Sequence, residues 1–193
     1  PDVIVADCIS NTKSILEEAE KAAKNRASII VFPEFCITGY TCGDLFFQNS
    51  LQRSAEDCLS QIVKKSGETE LKKSLLFAGL PVPQNEGLYN CAAVIHGGKL
   101  LGLIAKSYLP NYGEFYEGRQ FTPFGKNMKT RFVNFAGFEN VPFGTNILFR
   151  DKSDSSLIVG CEICEDLWVP LPPSTNHVLA GATIIANLSA GNE

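Results

Sequence analysis

Three short stretches of this sequence end an apolar run on a side chain that can do chemistry. In Val31-Phe32-Pro33-Glu34-Phe35 a carboxylate stands just past a buried-strand pattern, behind a proline that cannot donate to a ladder. Flanked by Phe32 and Phe35, Glu34 can be desolvated and its pKa raised, which suits a general base. The run Leu100 to Ala105 leads directly into Lys106. An ammonium fixed at a strand end can meet a developing oxyanion, and the plain alternative is a lysine snorkelling to solvent. Leu157-Ile158-Val159-Gly160-Cys161-Glu162-Ile163-Cys164-Glu165-Asp166 ends a strand on a thiol among acids. Acidic neighbours raise a thiol pKa, so Cys164 needs a base or a cation from elsewhere in the chain.

Cys161 and Cys164 also form a Cys-x-x-Cys, the pattern of a zinc half-site or a redox pair. No second pair has suitable spacing, and the motif follows a strand instead of opening a helix, so both readings rank low. Histidine is the usual partner of a catalytic cysteine, and only His96 and His177 exist. His96 sits in an apolar strand beside a hairpin turn and reads as structural. His177 follows Pro170 to Pro173 and reads as a surface or helix residue. A Cys–His dyad stays open. A Cys–Glu–Lys set fits better, because strand ends on one sheet edge bring distant residues together.

The elements that must position these residues follow from periodicity. Ser10 to Arg26 reads as a helix with Ile15, Leu16, Ala19, Ala22 and Ala23 on one face, and Ser50 to Ser66 as another with Leu51, Ala55, Cys58, Leu59, Ile62 and Val63. Residues 28–32, 75–82, 89–96, 99–106, 147–149, 157–161 and 183–187 read as strands, with Gly97-Gly98 as a two-residue hairpin turn. Residues 107–143 read as mostly irregular, and Pro170 to Ala180 as a loop running into a short helix. Helices alternating with hairpins imply α/β architecture, mixed sheets covered by helices.

The length of 193 residues suits one domain, with both ends looking cut, since a helix comes almost at once and the last strand has no closing helix. A net charge of -4 with no basic stripe argues against nucleic acid. No apolar run nears the ~20 residues that span a bilayer, and no secretory leader is visible. Seven irregularly spaced cysteines read as reduced thiols of a cytoplasmic protein.

Pro33-Glu34-Phe35, Lys106 with Leu109-Pro110 after it, and Cys164 after an apolar strand resemble the nitrilase superfamily of carbon–nitrogen hydrolases. Longer strings resemble the amidase domains of glutamine-dependent NAD synthetases: Thr38-Gly39-Tyr40-Thr41-Cys42-Gly43-Asp44-Leu45-Phe46, Tyr108 to Glu117, Val141 to Gly144, and Glu162 to Trp168. The resemblance implies an α-β-β-α sandwich and oligomeric assembly. It implies catalytic Glu34, Lys106 and Cys164, and a supporting Glu114. It implies a glutamine pocket shaped by Tyr40, Tyr112, Phe115, Glu165 and Ser189, with no metal at the site. Glutamine would be hydrolysed to glutamate and ammonia through a cysteine thioester. A C-terminal synthetase domain, absent from residues 1–193, would use the ammonia with ATP and magnesium to amidate nicotinic acid adenine dinucleotide. The competing readings are a free-standing amidase for another small amide and a non-catalytic oligomerisation module.

Overall fold

The computed structural model describes residues 2–68 and 70–191. Helix α1 (Cys8–Lys24) turns Ile15, Ala19 and Ala23 inward, and Asp7 caps it by accepting the N–H of Ser10. Helix α2 (Asn49–Ser66) buries the predicted stripe from Leu51 to Val63 and lies beside α1. Strands β1 (Ile29–Val31), β2 (Leu75–Gln84), β3 (Gly87–His96), β4 (Lys99–Ala105), β5 (Arg131–Phe135) and β6 (Phe138–Gly144) build a six-stranded sheet in the order β1-β2-β3-β4-β6-β5. Strands β7 (Phe149–Arg150), β8 (Ile158–Ile163) and β9 (Ile184–Leu188) build a second, three-stranded sheet. The pairs β1–β2, β4–β6 and β8–β9 are parallel and the others antiparallel, so both sheets are mixed.

Strand alternation sorts the side chains into two apolar layers. Phe77, Ala92, Val94 and Ile104 of the large sheet meet Val159, Cys161, Ile163, Ala186 and Leu188 of the small one. The residues between them, including Leu76, Ala78, Ala93, Ile95 and Leu103, face α1 and α2. On the far side of the small sheet lies helix α4 (Pro173–Leu179). Its His177 packs so tightly on Gly160 that a Cβ there would stand 2.8 Å from Nδ1. The result is the expected α-β-β-α sandwich.

The structure refines two expectations. Residues 107–143 are irregular over 107–116 and 121–130, as expected, but they also hold helix α3 (Glu117–Gln120) and the β5–β6 hairpin, which the pattern did not show. Ala136 (φ 54°) and Gly137 (φ 78°) make its turn, both in the left-handed region that a I′ hairpin turn requires. An alanine in that role and Pro142 inside β6 conceal the hairpin from pattern reading. His177 is on a helix but is only 2% exposed. Among the described residues no helix is long and apolar enough to cross a membrane.

Candidate active site

Glu34 comes to its place through a turn that only a glycine neighbour allows. The N–H of Phe32 still bonds the carbonyl of Phe77, one residue past β1, and Pro33 then ends the pairing. Phe35 follows in the left-handed region at φ 51°. The Glu34–Phe35 backbone lies directly on Gly79 of β2, where a Cβ would stand 2.3 Å from the Phe35 nitrogen and 2.9 Å from the Glu34 Cα.

Lys106 extends the β3–β4 ladder by one bond, its N–H donating to the Asn90 carbonyl at 2.9 Å. Its side chain is sealed from solvent and donates to Glu34 Oε1 at 2.7 Å and Glu117 Oε1 at 2.6 Å. The Asn90 side chain lies between the two acids: Nδ2 donates to Glu34 Oε1 at 2.6 Å and to Glu117 Oε2 at 3.2 Å. The opposite amide orientation would point a carbonyl at two carboxylates, so the network sets it. Tyr40 completes the cluster, its hydroxyl donating to Glu117 Oε1 at 2.8 Å.

This arrangement distinguishes the two oxygens of Glu34. Oε1 accepts from both Lys106 and Asn90, whereas Oε2 is buried without a hydrogen-bond partner among the described residues. Burial pushes the Glu34 carboxyl up, Glu117 adds to the push, and Lys106 and Asn90 pull against it. Burial would pull the Lys106 ammonium down, but Glu34 and Glu117 together hold it above its ordinary value. The ammonium therefore stays charged, beside a carboxylate that takes a proton more readily than usual.

Cys164 directly follows β8 at φ 45°, a left-handed conformation that a non-glycine residue holds only when its surroundings enforce it. It is 8% exposed, and Ser189, just past β9, donates its hydroxyl to the sulfur at 3.4 Å. Burial and then Glu34 push the thiol up, while Ser189, Lys106 and the Ala190 N–H pull it down, and the push wins. Cys164 thus rests as a thiol and needs a base to become a nucleophile. Glu34 and Lys106, bonded to each other, both act electrostatically on the Cys164 thiol although the three lie far apart in the chain.

The other predicted residues fall around this centre. Tyr112 is half exposed and donates to Glu165 Oε2 at 2.8 Å. The Phe115 ring contacts Tyr112 at 5.8 Å and Tyr40 at 6.3 Å, so an aromatic run connects the rim to the buried acids. A carboxylate bonded to Lys106 is Glu117, which sequence reasoning did not name as a site residue. The loop from Ser107 turns through Gly113 at φ 60° before α3 begins, which leaves Glu114 exposed and directs Glu117 inward. Sequence reasoning also missed Asn90, whose only signal was a polar residue inside an apolar strand run. Cys161 packs between the sheets, on the opposite side of β8 from His177. Neither histidine pairs with Cys164: His177 Nε2 contacts the Thr145 carbonyl and His96 Nδ1 the Ser74 carbonyl.

A thiol, a buried acid with one free oxygen, and a buried ammonium, held on an α-β-β-α sandwich, are the parts of an amide-bond hydrolase. The chain belongs to the carbon-nitrogen hydrolase family, whose model matches residues 5–193. It is 40% identical to a glutamine-dependent NAD(+) synthetase of Mycobacterium tuberculosis over 96% of its own length and 26% of that protein. The corresponding Thermotoga maritima protein is 30% identical, over 96% of this chain and 28% of that one. The chain thus spans about a quarter of the length of these relatives. Among solved structures, a glutamine-dependent NAD(+) synthetase from Cytophaga hutchinsonii superposes with a TM-score of 0.82 at 31% identity, covering 98% of this chain and 29% of that one. An amidase from Nesterenkonia shares the fold at a TM-score of 0.68 and 19% identity, covering 99% of this chain and 63% of that one.

Proposed function

We propose that this chain hydrolyses the side-chain amide of glutamine to glutamate and ammonia, with Cys164 as nucleophile, Glu34 as base and Lys106 as oxyanion partner. The observation that carries the reading is the sealed Glu34–Lys106 pair acting on the Cys164 thiol. Glu34 Oε2 takes the thiol proton as sulfur attacks the carboxamide carbon. The oxyanion then meets the third N–H of Lys106 and a backbone N–H near Glu165, and one such donor is worth about 3–4 kcal/mol. Collapse of the tetrahedral intermediate breaks the C–N bond, and Glu34 returns its proton to the departing ammonia. A water deprotonated by Glu34 then splits the thioester and releases glutamate.

Glu165, supported by Tyr112, suits the α-amino group of glutamine. Tyr40 braces Glu117, Phe115 walls the pocket, and Ser189 supports the sulfur. The relatives' names support a coupled reaction in which a synthetase domain uses the ammonia, ATP and magnesium to amidate nicotinic acid adenine dinucleotide. All seven thiols are free, which supports a cytoplasmic setting. The exposed apolar side chains of Trp168, Leu171 and Leu179 support self-association.

The test compares full-length wild type with Cys164→Ala. The variant loses glutamate release and keeps NAD formation from added ammonium. A Cys164→Ala protein that still hydrolyses glutamine removes the proposal.

A further inference from the structure

The two chain segments that bring Lys106 and Cys164 together belong to different sheets. The large and small sheets meet through an apolar layer, and apolar contact is not directional. It can hold two sheets together without fixing the offset of one strand end against another. Something directional must set the distance between the ammonium at the end of β4 and the sulfur at the end of β8.

Asp166 stands at that junction and is 1% exposed. Its Oδ1 accepts the N–H of Ser107 at 3.0 Å and of Tyr108 at 2.8 Å, the two residues that follow Lys106. Its Oδ2 accepts the N–H of Ile163 at 3.1 Å, the residue before Cys164. One carboxylate therefore spans both segments, with all three donors in the backbone. The Thr145–His177 bond ends on α4, and the Tyr112–Glu165 bond joins two side chains at the exposed rim, whereas Asp166 holds backbone N–H groups of both segments from a buried position.

The residue type fits this task and little else. Burial pushes the Asp166 carboxyl up to about 7, against the pull of its three N–H donors and Lys106, so this acid is expensive to keep inside. An asparagine would be easier to bury. It would offer an acceptor at one end and set an NH2 group against a backbone N–H at the other. Only a carboxylate accepts on both sides, and N–H bonds to a carboxylate are the stronger class. The same bond to Ile163 helps hold the left-handed backbone at Cys164.

We infer that Asp166 is a positioning residue, a carboxylate bolt that links the Lys106 strand to the Cys164 turn and sets the ammonium against the sulfur. The inference rests on the amidase reading above for its catalytic readout only.

The test uses the full-length protein and Asp166→Asn, with Glu162→Gln as control. Glu162 is equally buried on β8, but its carboxylate accepts the Ser174 N–H of α4 and does not link the Lys106 strand to the Cys164 turn. Asp166→Asn lowers kcat for glutamine by about a hundredfold with KM nearly unchanged, the scale of a small misplacement of reacting groups. It slows iodoacetamide alkylation of Cys164 by at least about tenfold on the same ground. Glu162→Gln leaves both near wild type. Wild-type kcat and alkylation in Asp166→Asn overturn the inference, as does an equal loss in Glu162→Gln. The unmodified protein supplies a check that needs no variant: the Ser107 and Tyr108 amides exchange slowly although both lie outside any strand. Fast exchange there refutes the bolt. If wild type releases no glutamate, the glutamine reading fails alone, and alkylation still decides the role of Asp166.

Discussion

Replacing Lys106 by methionine tests the physics of the site most directly. The side chain is wholly buried and its ammonium bonds two buried carboxylates, at 2.7 and 2.6 Å. Methionine preserves most of the volume but leaves Glu34 and Glu117 facing each other without a cation. Removing one partner of a buried ion pair costs about 3–5 kcal/mol, because a charge is left uncompensated. At about 2–4 °C per kcal/mol for a domain of this size, the amidase unfolding transition falls by roughly 6–20 °C. Loss of an oxyanion donor independently lowers kcat by about 10²–10³. Adding Glu117→Gln separates the two effects. It removes the second acid, so part of the lost stability returns, while activity stays low because the donor is still missing. Differential scanning calorimetry and glutamate release on wild type, Lys106→Met and the double variant give the answer. A Lys106→Met protein that melts with wild type refutes the charge argument, and a double variant that regains activity refutes the oxyanion role.

Other expectations follow from the same geometry. Gly79→Ala drives a methyl into the Glu34–Phe35 backbone, so glutaminase activity falls and the transition temperature drops by the equivalent of about 1–3 kcal/mol, measured on the purified full-length variant. Tyr112→Phe removes the donor to Glu165, which raises KM for glutamine and leaves kcat nearly unchanged in steady-state assays. Asp166 also sets a stability slope with pH. Its folded pKa of about 7 lies above the ordinary 3.8, so between these values the folded state keeps a proton the unfolded state has lost. This group's contribution therefore falls as pH rises, by up to about 1.4 kcal/mol per pH unit, and levels off above about 7. Unfolding midpoints of wild type and Asp166→Asn, compared from pH 4 to 8, isolate it. An identical pH dependence in both proteins contradicts the assignment.

What could be read in the sequence depended on how local the signal was. The stripe of α2 repeats within one helix and the Gly97-Gly98 turn within one hairpin, and both stand as expected. The β5–β6 hairpin went unseen because its two decisive residues, Ala136 and Pro142, contradict local preference and are held by partners outside the segment. Val141 and Phe143 are buried in the large core, and the Ala136 N–H is bound by Glu56 of α2. Tertiary contacts override a poor local pattern there.

The site divides in the same way. Glu34, Lys106 and Cys164 each stand at a strand end, a position that hydrophobic runs mark directly, and the fold gathers them. Asn90, Glu117 and Asp166 have no such mark, because their roles exist only across elements. Asn90 is one polar residue in an otherwise apolar strand, and its two acids lie 56 positions before it and 27 after it. The resemblance pointed to Glu114 and gave no sign of Glu117, which the loop through Gly113 and α3 turn inward onto Lys106. Sequence patterns report the groups that touch a strand end. The residues that tune and align those groups become visible only when the directions of their hydrogen bonds are known.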